Sequence, residues 1–175
     1  MEHNSDRLGP QRITKVDLRK LLQKVEAAPS GSPELDSEFE STFRLAPPYV
    51  TRSIDAAGWL IETELPGWWW NCGHVALRNG ASLYVPGSSQ ILVDFPNARI
   101  PPDFEPRPEH LRLLQDPKWG KVFNRGFHCN RGGGTIPLAM LSVFLQGKIA
   151  LILVQPEALA NKASPQLAAP HGRLQ

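Results

Sequence analysis

Between Ile136 and Val154 almost every residue is apolar, and no other stretch narrows the fold so much. A bilayer span takes about 20 predominantly apolar residues, so length alone admits a membrane helix. Gln146, Gly147 and Lys148 interrupt the run near its middle. A lysine at the bilayer centre costs roughly 2.5–3.5 kcal/mol on insertion scales. The segment is therefore read as a buried helix over 136–153 with one polar edge, started by Thr135 as its cap, with no membrane association. Leu138, Leu141, Phe144, Leu145 and Ile149 spread around its axis. A helix apolar all round belongs in the centre of a core, so other elements must bring apolar faces to it.

Three earlier segments supply such faces. Residues 14–27 carry Leu18, Leu21, Leu22 and Val25 at helical spacing, with Thr14 placed to cap and Asp17 in the first turn. Ser32-Pro33 opens a second helix, because a hydroxyl cap followed by proline suits the first turn. Leu35, Phe39 and Phe43 form its apolar stripe, and Glu34, Asp36, Glu38 and Glu40 read as a solvated acidic face. Ser53 opens a third helix over 53–65, with Ile54, Ala57, Leu60, Ile61 and Leu65 inward. Gly58 inside that helix costs up to about 1 kcal/mol relative to alanine, which predicts close packing against a neighbour.

Strands follow. Residues 68–77, 81–86 and 90–95 read as an antiparallel meander, with Asn79-Gly80 as a two-residue hairpin turn. Prolines 96, 101, 102, 106 and 108 make 96–108 an irregular loop, with a short helix at 108–115. The expected architecture is α+β: a layered α/β/α sandwich with a small antiparallel meander sheet. Residues 1–12 and 156–175 are expected to be disordered, leaving one domain over 13–155. The N-terminus, Met-Glu-His-Asn-Ser-Asp-Arg, lacks the apolar core of a signal peptide. A cytoplasmic location is the expectation. Formal net charge is +2 and the basic residues are scattered, so no nucleic-acid partner is expected.

Residues 47–70, Pro-Pro-Tyr-Val-Thr-Arg-Ser-Ile-Asp-Ala-Ala-Gly-Trp-Leu-Ile-Glu-Thr-Glu-Leu-Pro-Gly-Trp-Trp-Trp, resemble the phage ABA sandwich domain family. Ala81-Ser82-Leu83-Tyr84 is similar to that family's next strand, and Thr135-Ile136-Pro137-Leu138-Ala139-Met140 to the start of its closing helix. The resemblance covers about 70 residues and its motifs are structural. Gly58 stands where the family pattern has leucine, and 90–134 is longer than its second strand and loop. The resemblance implies a layered fold and a phage or prophage setting in a bacterial host. It transfers no catalytic residue.

Chemistry-bearing residues are few. Cys72, His74, His128 and Cys129 offer two sulfurs and two imidazoles, a set that suits tetrahedral zinc, but their spacing follows no zinc pattern. The same residues allow a Cys72–Cys129 disulfide, or a thiol enzyme with Cys129 as nucleophile, His74 as base and Asp94 or Asn130 as orienter. No catalytic set, metal or other cofactor is assigned. Arg131-Gly132-Gly133-Gly134-Thr135 precedes a helix as phosphate loops do, yet the P-loop lysine is absent; it reads as a flexible entry to the helix. Trp68, Trp69 and Trp70 alternate faces on a strand, and one left exposed is a candidate partner contact. The expected role is that of a phage or prophage accessory protein, binding a phage or host protein such as a defence or regulatory factor. The alternatives are the metal or thiol enzyme and a virion structural component.

Overall fold

The computed structural model describes residues 13–75, 78–97, 100, 104–131 and 134–162. The expectation of disorder over 1–12 and 163–175 lies outside the described residues; over 156–162 it does not hold, because these residues continue the last helix.

The fold is α+β. Helix α1 (Lys15–Ala27) begins with a reciprocal capping box: the Thr14 hydroxyl accepts from the Asp17 N–H, and the Asp17 carboxylate accepts from the Thr14 N–H. Ser32 caps α2 (Pro33–Thr42) by accepting from the Leu35 N–H at 3.2 Å. Ser53 caps α3 (Ile54–Glu64) by accepting from the Ala56 N–H at 3.2 Å. All three caps act through a side chain three residues from its donor, so they are set by local sequence.

Strands β1 (Trp69–Val75) and β2 (Arg78–Tyr84) pair antiparallel, and β2 pairs antiparallel with β3 (Phe127–Arg131), giving the order β1-β2-β3. Between β2 and β3 lie α4 (Gln90–Asp94), α5 (Pro108–Gln115) and α6 (Gly120–Arg125). The third strand is therefore 127–131 and not 90–95. Gln-Ile-Leu-Val-Asp has strand-like composition, but β3 occupies the free edge of β2. Residues 90–94 form a helix instead, with Ile91 buried and Leu92 and Val93 exposed. Tertiary context has overridden strand propensity.

Asn79-Gly80 is not the hairpin turn. Both residues lie within β2, opposite His74 and Gly73, and Val75 pairs with Arg78. Asn79 accepts from His74 Nδ1 at 2.9 Å and donates to the Gly134 carbonyl at 2.7 Å. A Cβ at Gly80 would lie 2.9 Å from Asn130 Oδ1, so this glycine lets β3 approach rather than turning the chain.

The last helix, α7 (Ile136–Lys162), packs on α1, α3 and all three strands. It runs past 153, where the apolar pattern ends, to Lys162. By length and composition Ile136–Val154 could cross a membrane; in the fold most of it is buried. At the crossing with the sheet, Gly147 approaches Leu83 and Trp68. Lys148 reaches Glu64 on α3 at 2.7 Å, which accommodates the charge inside the apolar run. Thr135 does not cap this helix with its side chain: its buried hydroxyl has no partner among the described residues. Pro137 at the second helical position offers no N–H to receive it. On the opposite sheet face α4 lies over Tyr84, through Asp94 and the following Phe95.

Candidate functional site

The sheet register decides the fate of the Cys/His set. Paired residues in antiparallel strands share a face, and neighbours along a strand take opposite faces. Cys72, Ala81 and Cys129 form one cross-strand row on the face toward α7. With Ala81 between them, the two cysteine Cα atoms are about 10 Å apart from strand spacing alone, beyond disulfide reach of about 7 Å. Burial raises the Cys72 pKa and keeps it a thiol. His74 is spent on Asn79. His128 lies on the other face, with Ser82 and Asn71 in its row. The structure does not bring the four residues together, and it separates Cys129 from His74 by the width of β2. Among the described residues no three His, Cys, Asp or Glu side chains gather as a metal site.

The outer face holds a polar network instead. His128 Nε2 bonds the Arg125 carbonyl at 2.9 Å. That bond makes Nε2 the donor, so in a neutral ring Nδ1 accepts from the Ser82 hydroxyl at 3.1 Å. Tyr84 donates to Asp94 at 2.6 Å, and Gln90 donates to the other carboxylate oxygen at 2.9 Å. Burial, with that carboxylate behind it, pushes the Tyr84 hydroxyl up to about 12. The hydrogen bond from Tyr84 holds Asp94 below the usual carboxylate range. Asp94 is thus tied to Tyr84 and does not orient a cysteine–histidine pair.

The three tryptophans divide. Trp68 is buried between Phe123 and Phe127 in the core. Trp69 lies on the opposite face against Phe104, with ring centroids 5.1 Å apart. Trp70 is half-buried over Gly58: a Cβ at that glycine would come within 2.9 Å of its ring. The close neighbour implied by a helix-interior glycine is therefore this indole. Of the glycine run, Gly134 has a positive φ of 85° and gives its carbonyl to Asn79; Gly132 and Gly133 lie outside the described residues.

The most exposed aromatic surface lies elsewhere, within residues 49–59. Tyr49 is 59% exposed and sits in left-handed backbone with φ of 63°, alone among the described non-glycine residues. Such a conformation costs about 1–3 kcal/mol and persists only where its surroundings enforce it. Here the enforcing chain is visible. The Tyr49 carbonyl accepts from the Arg52 and Ser53 N–H groups at 2.9 and 3.0 Å, closing a turn onto α3. The Arg52 guanidinium lies over the Tyr49 ring, 4.6 Å from its centroid. Asp36 on α2 holds that guanidinium at two points, Nε at 2.9 Å and a terminal nitrogen at 2.8 Å. Asp36 is 4% exposed and also accepts from the Thr51 N–H and hydroxyl at 2.8 and 2.7 Å. It is thus a buried anchor and not part of a solvated acidic face. Helix α3, which follows this turn, carries the exposed Ile54 at its first position and the 48% exposed Trp59 five residues further along.

No local sequence pattern marks this group. Asp36 and Arg52 are 16 residues apart, and nothing in the acidic run marks Asp36 as different from Glu34 or Glu38. The Pro-Pro-Tyr stretch is the available signal, because consecutive prolines constrain entry to the turn. No family model, curated protein or solved structure matches the chain.

Proposed function

We propose that this chain is a small accessory protein of phage or prophage origin that works by binding a protein, with the Tyr49–Arg52–Trp59 surface as its contact. The observation that carries this reading is the anchoring of Tyr49. An exposed aromatic ring is held in strained backbone by an arginine that is itself fixed on a buried carboxylate. Tyrosine, arginine and tryptophan dominate protein-binding hot spots, and a side chain fixed in advance loses less entropy on association. The phage setting rests on the resemblance of 47–70, which contains Tyr49, Arg52 and Trp59. The partner is a phage protein or a host defence or regulatory factor, met in the cytoplasm of the bacterial host.

The test places a photo-crosslinking amino acid at position 59, and in a control at the exposed Gln23 on α1, in cells producing the phage. The reading expects one protein crosslinked from position 59 and absent from position 23. Equal yields from both positions, or none from 59, would reject it. Crosslinks between copies of the chain, with a stable multimer by light scattering, would mark a virion component instead.

A further inference from the structure

A second feature lies away from Tyr49 and is independent of the proposed partner. The start of α5, the α3–β1 turn and the turn of α7 that carries Leu151 and Val154 enclose a cleft of about 420 Å³, within the size range of small-molecule sites. Leu65, Trp68, Leu113, Leu151 and Val154 give it an apolar wall. Its rim is charged, but most of that charge is already paired. Glu64 is taken by Lys148 at 2.7 Å, and Glu109 lies 3.9 Å from Arg107. Arg112 has no carboxylate at ion-pair distance among the described residues, which leaves the rim one positive charge in excess.

Two further observations point the same way. Helix α5 starts at this cleft without a side-chain cap; Pro108 has no N–H and the His110 N–H is bonded to the Arg107 carbonyl at 2.9 Å, so it is the positive dipole end of the helix that favours an anion there. His110, in that first turn, is 4% exposed and lines the cleft, and its buried Nδ1 has no hydrogen-bond partner among the described residues. A buried polar nitrogen left unpaired is unfavourable until something pairs it.

We propose that this cleft binds an amphipathic carboxylate. The alkyl or aryl body lies along Trp68, Leu65 and Leu151, and the carboxylate sits between the Arg112 guanidinium and the His110 ring. Neutral apolar molecules of the same size gain the wall but not the head-group contacts, and cationic ones meet the unpaired arginine.

Isothermal titration of the full chain with decanoate, decanol and decyltrimethylammonium tests this. Decanoate is expected to bind about tenfold more tightly than decanol, the value of one charge-assisted hydrogen bond, and the ammonium more weakly than either. Arg112→Gln should bring decanoate down to the level of decanol. Leu151→Trp, which fills the cleft, should weaken both, and Val154→Trp at its side serves if the first variant unfolds. Saturable binding with no preference for decanoate would overturn the proposal. So would an Arg112→Gln variant that keeps the preference, tryptophan variants that fold and bind unchanged, or the absence of binding at millimolar decanoate.

Discussion

Replacing Asp36 with alanine should destabilise the fold far more than replacing its partner Arg52, although both sit in one ion pair. The asymmetry follows from burial. Asp36 receives four contacts: two from Thr51, which is fully buried, and two from Arg52. Its removal leaves the Thr51 N–H without an acceptor, while the Thr51 hydroxyl keeps only the longer bond to the Ser32 carbonyl at 3.3 Å. Losing a buried carboxylate hydrogen bond costs about 1.5–3 kcal/mol, so the two Thr51 bonds alone amount to roughly 2–5 kcal/mol after partial rescue of the hydroxyl by the Ser32 carbonyl. The Arg52 side chain is 37% exposed and stays hydrated when Asp36 goes. Its own removal should cost only about 1–2 kcal/mol, nearer to surface pairs, because Asp36 keeps both Thr51 donors. Urea unfolding followed by tryptophan fluorescence gives both values, and the double variant gives the coupling. An Asp36→Ala cost under about 1 kcal/mol, or an Arg52→Ala cost equal to it, would refute the reasoning.

Other perturbations follow from the same structure. Leu141→Ala or Phe144→Ala should each cost about 2–5 kcal/mol, since both are fully buried in α7; unchanged urea midpoints for both would contradict the placement of the core. Gly126 has φ of 74° and ψ of −179° between α6 and β3, and a Cβ there would lie 2.6 Å from the Tyr84 ring. Gly126→Ala should therefore cost at least about 1–3 kcal/mol, read as a lowered Tm. Burial lowers the His110 pKa, so as pH falls below about 6.5 the unfolded chain takes up a proton that the folded chain resists. Stability from this residue is present above pH about 6.5 and is lost as pH drops toward the folded pKa; His110→Gln should flatten the decline in urea midpoint between pH 7.5 and 5.5, and an unchanged slope would contradict it. A chelator should leave Tm unchanged, because Cys72 and Cys129 face α7 while His128 faces away; a large drop would mean that these residues meet around a metal.

What the sequence disclosed was local. The caps at Thr14, Ser32 and Ser53 and the helix at 108–115 depend on residues a few positions apart, and each appears where its residues place it. The central position of α7 was legible because an apolar surface all round leaves a helix no polar side. What depended on distant pairing was not legible. Strand β3 is defined by its register with β2, almost 50 residues earlier, and its capture of that edge leaves 90–94 to fold as a helix. Asn79-Gly80 carries a turn signal but serves the approach of β3. Once 127–131 is a strand, the opposite facing of His128 and Cys129 follows from period-two geometry. Without that strand, the four Cys and His residues cannot be sorted onto faces. The Asp36–Arg52–Tyr49 chain likewise links α2 to the turn before α3, a contact that no short-range pattern encodes.

The most direct test of the proposed binding surface is Tyr49→Gly. Glycine adopts positive φ without the strain that tyrosine bears there, so the change removes the ring while easing the backbone. After the crosslinked partner is purified, its affinity for wild-type and variant chains can be measured by titration beside their melting temperatures. The Tm of the variant should be unchanged or slightly raised, with affinity reduced at least about 30-fold, as for loss of a hot-spot side chain. A variant that keeps its Tm and binds the partner as tightly as wild type would contradict it.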